Sequence, residues 1–292
     1  MHASKILVLI LVLAAFGLAA AAVRAGDPAG VRIERKTCLA PDGVEIVYSV
    51  AGQGEPALVF VHGGLANRGF WDGQLKEFGT KHRTIALDLA GHGESGVNRT
   101  KWGIPEFGAD VKAVVDAEKA KKVIIFGNSL GGPVAVEAAL LLPGRVLGVV
   151  GVDTFQLIDV VIAPDQVRQR AELFEKDYPA ALKMMVGMLF HKDADPAVVA
   201  DAEKRMAGTS PAAAKAMFLS MGGYDEGAAA RRLQAPLRAI NGDLYQTDIE
   251  RNRKVKPDFD AVIMKHMGHY PMLERPAEFN RLVAETVAAL TK

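Results

Sequence analysis

Short apolar runs, separated by stretches of helical period, fill most of the chain. Residues 44–50 alternate apolar and polar positions, the period of a half-buried strand. Residues 57–61, 83–87, 123–126, 146–152, 237–240 and 259–264 are further apolar runs of strand length. Residues 105–120, 133–142 and 276–290 space their apolar side chains as helices do. Strands alternating with helices predict an α/β fold: a mostly parallel central sheet with helices on both faces. Residues 155–234 break the rhythm. They contain no strand-like run and hold six of the ten methionines: Met184, Met185, Met188, Met206, Met217 and Met221. This stretch is expected to be a helical cap inserted into a core built from residues 26–154 and 235–292. Methionine fills irregular apolar space, so these side chains either pack the cap's own core or line an apolar pocket.

The N-terminus has a different pattern. Residues 6–22 are apolar and rich in Leu and Ala, and a short segment bearing Lys5 precedes them. Val23-Arg24-Ala25 offers small residues where a signal peptidase reads. Residues 1–25 are therefore expected to be a secretory signal peptide, with the folded part periplasmic or secreted. An uncleaved N-terminal membrane anchor is the alternative, since the run approaches the ~20 residues that span a bilayer. No other membrane contact is expected.

Composition narrows the function classes. The chain has 292 residues, 50% of them hydrophobic, enough to bury a large core. Its net charge is +1, with the two signs interspersed, which argues against a nucleic-acid surface. Cys38 is the sole cysteine, so an intramolecular disulfide and a cysteine-based metal cluster are both excluded. Cys38 precedes the first expected strand and reads as a structural thiol. The oligomeric state has no sequence signal.

Candidate chemistry centres on Gly127-Asn128-Ser129-Leu130-Gly131, between an apolar strand and a helix-like stretch. G-x-S-x-G in that setting is a nucleophile elbow: a strained turn that exposes the serine hydroxyl at a helix N-terminus. An exposed serine needs a base. Of the seven histidines, His269 stands after the last strand and before the final helix, in a loop able to reach the elbow. His62 and His92 belong to Gly-rich turns, His82 and His191 read as surface residues, and His266 as a surface or supporting one. Two backbone N–H groups are expected to hold an oxyanion: that of Leu130, after the nucleophile, and that of Gly64, in the turn after an earlier strand. Asp88 and His92 read as turn residues without a chemical role. Neither a metal nor a cofactor is implied, and the expected partner is a small-molecule substrate.

Four segments resemble the α/β-hydrolase superfamily, in its order along the chain. They are His62-Gly63-Gly64, Asp88-Leu89-Ala90-Gly91-His92-Gly93-Glu94-Ser95, the elbow through Gly132, and Gly268-His269-Tyr270-Pro271-Met272-Leu273-Glu274 leading into Pro276. The resemblance covers the whole chain after the leader and implies the α/β-hydrolase fold. The elbow is similar to those of small-ester hydrolases and of meta-cleavage-product hydrolases that cut carbon–carbon bonds. Haloalkane dehalogenases and epoxide hydrolases carry an aspartate nucleophile there, so Ser129 argues against their chemistry. The implied function is an exported serine hydrolase acting on a small, largely apolar ester or related carbonyl compound through an acyl-enzyme. Carbon–carbon hydrolysis, lactone opening or acyl transfer on the same residues is the alternative. A non-catalytic ligand-binding protein on this fold is an alternative of another class.

The triad acid departs from the family's pattern. Most relatives place an aspartate three residues after the glycine that ends the penultimate strand, and here Tyr245 occupies that position. Asp153, at the end of the strand after the elbow helix, is the preferred substitute. Asp243, on the expected loop but two residues early, is the second choice. Asp248 is the third, and a helix N-cap would account for it equally well.

Overall fold

A computed structural model describes residues 30–292 of the chain, so the expected leader, residues 1–25, lies outside the described residues. Eight strands form one sheet: β1 (Ile33–Leu39), β2 (Glu45–Ala51), β3 (Ala57–Val61), β4 (Thr84–Leu87), β5 (Val123–Asn128), β6 (Val146–Val152), β7 (Leu237–Gly242) and β8 (Asp260–Met264). Their order is β1-β2-β4-β3-β5-β6-β7-β8. β1 pairs antiparallel with β2, and β2 with β4; every later pairing is parallel. All residues of β3, β4 and β5 are buried, as expected of strands covered on both faces. Phe60 on β3 lies with its ring centroid 5.1 Å from both Trp71 and Phe126, at the centre of the core.

Eleven α-helices accompany the strands among the described residues: α1 (Asp72–Phe78), α2 (Ile104–Ala117), α3 (Gly131–Leu140), α4 (Pro164–Lys176), α5 (Tyr178–Leu189), α6 (Pro196–Met206), α7 (Pro211–Ser220), α8 (Glu226–Arg232), α9 (Ile249–Val255), α10 (Pro271–Glu274) and α11 (Pro276–Leu290). Five of these, α4 to α8, lie in the connection from β6 to β7. Their starts follow local chemistry. Asp177, Asp195, Ser210 and Asp225 each accept a hydrogen bond from a backbone N–H in the first turn of the helix that follows. α4 packs on α5 and α7, and Phe174 meets Phe218 with centroids 4.8 Å apart.

One strand has no counterpart among the expected elements. Cys38 does not precede the first strand; it stands on β1, paired with Ile46. β1 reads Ile-Glu-Arg-Lys-Thr-Cys-Leu and lies at the sheet edge, where charged side chains face solvent and keep the open edge from pairing with another chain. Those charges hide the strand period. Partial burial pushes the Cys38 thiol up to about 11, so it stays protonated and unreactive at neutral pH.

Candidate active site

The elbow forms where β5 runs into α3. Ser129 has φ 51°, in the left-handed region, and its N–H donates to Val152 O at 3.1 Å. The close turn explains the flanking glycines. A Cβ on Gly127 would lie 2.0 Å from Gly131 O, and one on Gly131 would lie 2.5 Å from Val61 O.

His269 is held from three sides. Its N–H donates to Leu189 O at the end of α5 at 2.7 Å. Its carbonyl accepts from Asn128 Nδ2 at 3.0 Å, which ties the loop to the elbow. Its ring Nδ1 meets Asp153 Oδ2 at 2.5 Å, with Asp153 buried at the end of β6. The other carboxylate oxygen of Asp153 accepts the Gly242 N–H at 2.9 Å. A carboxylate on Nδ1 fixes the proton there and leaves Nε2 as the basic nitrogen. Ser129 and His269 line the same cavity; among the described residues no hydrogen bond yet joins them, and such bonds often form only with substrate in place.

The other two candidate acids point elsewhere. Asp243 is exposed and accepts the Met267 N–H at 3.1 Å; that bond holds its carboxyl below the usual range. Asp248 caps α9 through the Arg251 N–H. Tyr245, in the position where the resemblance leads one to expect the acid, donates its hydroxyl to Met188 O at 2.9 Å and so ties the β7 loop to α5.

Gly64 and Leu130 line the cavity with Ser129, and neither N–H makes a hydrogen bond among the described residues. Met217 of α7 closes over Gly64, 3.0 Å from where a Cβ would stand. His62 belongs to the turn itself: its Nε2 accepts the Leu89 N–H at 3.0 Å and its Nδ1 donates to Gly63 O at 2.7 Å. Burial pushes it down to about 4 and His92 down to about 3, so both are neutral scaffold groups. Asp88 accepts the backbone N–H groups of Arg68 and Glu94 and pairs with the Arg68 guanidinium. His191, expected at the surface, is half-buried, its ring edge-on to His266 with centroids 5.8 Å apart.

The cavity over Ser129 measures about 580 Å³. Five of the six methionines of residues 155–234 line it; the sixth, Met206, is buried against the Tyr270 hydroxyl. Leu173, Phe174 and Phe218 complete a mainly apolar wall. A second cavity of about 220 Å³ opens on the same Ser129, Leu130 and His269, and Tyr224 and Glu226 bring polar groups to it. A surface groove of about 600 Å³ beside α1 and α11 is as large but holds no group of the elbow. Two residues without a sequence-based role matter here. Glu274 accepts the N–H groups of Gly268 and Tyr270, both at 3.2 Å, on either side of His269. Glu226 is half-buried, with one carboxyl oxygen sealed from solvent; its only sequence signal is an acidic residue at a helix start.

Comparison with known proteins bears on the fold and the family. Human epoxide hydrolase 4 is 31% identical over 108 residues, covering 36% of this chain and 30% of the relative. The chain spans about a third of the length of the curated relatives it matches. The structure of a thermophilic esterase from Thermogutta terrifontis superposes with a TM-score of 0.78 at 21% identity, over 89% of this chain and 100% of that one. Est816, described as an N-acyl homoserine lactone degrading enzyme, superposes with a TM-score of 0.71 at 25% identity, over 88% and 99% of the two chains. The model of the alpha/beta hydrolase family matches residues 58–282, and with the sheet order and the elbow this makes the chain a member of that family.

Proposed function

We propose that the protein is an exported serine hydrolase that cleaves a carboxylic ester with one large apolar arm through an acyl-enzyme. The observation that carries this reading is the Asp153–His269 pair beside Ser129 at the floor of a methionine-lined cavity. Ser129 Oγ attacks the ester carbonyl while His269 Nε2 takes its proton. The Asp153 carboxylate stabilises the imidazolium that forms. The N–H groups of Leu130 and Gly64 receive the oxyanion, each worth roughly 3 kcal/mol of barrier. His269 then returns the proton to the leaving alcohol, and water activated by the same nitrogen releases the acid. The apolar leader over residues 6–22 supports export.

Lactone opening is the second reading. It is favoured by the likeness to Est816 and needs the same groups. Epoxide opening on an aspartate nucleophile is not proposed, because Ser129 stands at the elbow.

The test expresses the full chain and assays aryl octanoate hydrolysis and a long-chain acyl lactone in separated cell fractions. Turnover is expected outside the cytoplasm and lost by a factor of at least ~10³ in Ser129→Ala. Retained turnover in that variant overturns the mechanism. Activity confined to the cytoplasm overturns export, and preference for the lactone selects the second reading.

A further inference from the structure

Glu226 is costly to the fold. It occupies the first position of α8, where the preceding Asp225 already caps the Ala228 N–H, so the helix start does not need it. Its Oε1 is sealed from solvent and has no hydrogen-bond partner among the described residues. None of the described salt bridges involves Glu226. The neighbouring Tyr224 hydroxyl donates to Glu137 at 2.9 Å instead. A carboxyl oxygen sealed from solvent without a partner destabilises a protein, and such groups persist where function needs them. Burial pushes this one up to about 8, so at neutral pH it mostly carries its proton and can both donate and accept.

Its position suggests that need. Glu226 lines the 220 Å³ cavity that shares Ser129, Leu130, Gln156, Met221 and His269 with the large apolar one. The reacting carbonyl thus sits where two chambers meet, one large and apolar, the other small with a polar wall. At ~30 Å³ per water-sized group the small chamber holds about seven heavy atoms. Building on the ester reading, we propose that Glu226 is a specificity-determining residue: its carboxyl hydrogen-bonds a neutral hydroxyl or carbonyl on the short arm of a two-armed ester whose long apolar arm fills the methionine-lined chamber.

Two pairs of isosteric esters test this without assuming which arm is acyl: 2-hydroxyethyl octanoate against propyl octanoate, and octyl 3-hydroxypropanoate against octyl butanoate. Released acid is followed by pH-stat titration. In one pair the wild-type enzyme is expected to favour the hydroxylated ester by about tenfold in kcat/KM, the effect of one neutral hydrogen bond. Glu226→Gln, which still donates and accepts, keeps most of that preference. Glu226→Leu abolishes it, mainly through KM, and leaves the plain ester as fast or faster. Absence of preference in both pairs, or an equal loss on all four esters in Glu226→Leu, overturns the proposal. If the wild-type enzyme hydrolyses none of the four and a fluorophosphonate does not label Ser129, the ester reading falls and takes this inference with it.

Discussion

Asp153 sits at the end of β6 with φ 46°, one oxygen on the Gly242 N–H and the other on His269 Nδ1. Asp243 spends its carboxylate on the Met267 N–H at the surface, 24 positions along the chain. The two therefore respond differently to the same neutral replacement. Asp153→Asn is expected to lower kcat by roughly 10³–10⁴-fold, because an amide cannot hold the ring tautomer or stabilise its cation. Asp243→Asn keeps an acceptor for Met267 and is expected to cost a few-fold at most. Steady-state kinetics on one aryl ester decide between them, and comparable losses would remove Asp153 from the mechanism. At this scale the sequence shows which residue types are present but not which way they point. Ser129 and His269 sit in local motifs, whereas the Asp153–His269 contact joins residues 116 positions apart and exists only because β7 pairs with both β6 and β8, which brings the loop after β8 to the end of β6. Tyr245 illustrates the converse: its place in the chain says that a carboxylate is missing, while its tie to α5 is visible only in three dimensions.

Elements whose burial imposes a period were legible in the sequence, and those without one were not. β3, β5 and β6 are apolar because the sheet covers both their faces, and α11 is amphipathic because one side meets the core. β1 has no such signature, since an edge strand keeps its charges to block further pairing. In the loop from β8 to α10 one side chain braces the backbone on both sides of the base. Glu274, in α10, reaches back to the N–H groups on both sides of His269, and burial raises its carboxyl despite those bonds. Glu274→Ala leaves two buried donors unpaired, at about 1–3 kcal/mol each if the loop does not relax. The expected outcome is a lower thermal midpoint and a kcat reduced by roughly tenfold or more at nearly constant KM, since the base loses its place while the pocket remains. Glu274→Gln keeps one good acceptor and is expected to recover part of kcat. A purely structural role would lower the midpoint in both variants and leave kcat per folded molecule unchanged.

Across the whole molecule, buried ionisable groups set how stability follows pH, and they pull in opposite directions. His62 and His92 lie with ring centroids 5.0 Å apart, both fully buried and both pushed down, to about 4 and about 3, from an ordinary value of 6.5. Between those values the unfolded chain binds protons that the folded chain refuses, so each histidine removes stability as pH falls below about 6.5. Glu226, raised to about 8 from 4.5, works the other way: it holds a proton that the unfolded chain has released, and costs stability as pH rises through that window. Total stability therefore mixes the two, and only a difference between variants isolates one group. His92→Phe suits this purpose, because a ring of similar size keeps the contact with Phe107 while removing the titration and the 3.0 Å bond from Nδ1 to Ala90 O. At pH 7.5 the variant is expected to be less stable by about 1 kcal/mol, the net worth of that bond. As pH falls from 6.5 to 4 the wild-type protein loses stability relative to the variant by about 1.4 kcal/mol per unit, so the order reverses near pH 6 to 5. Urea unfolding of both proteins at pH 7.5, 6 and 5 measures the gap. A gap independent of pH would mean that His92 is protonated alike in the folded and unfolded chains, and would end its description as a neutral scaffold group.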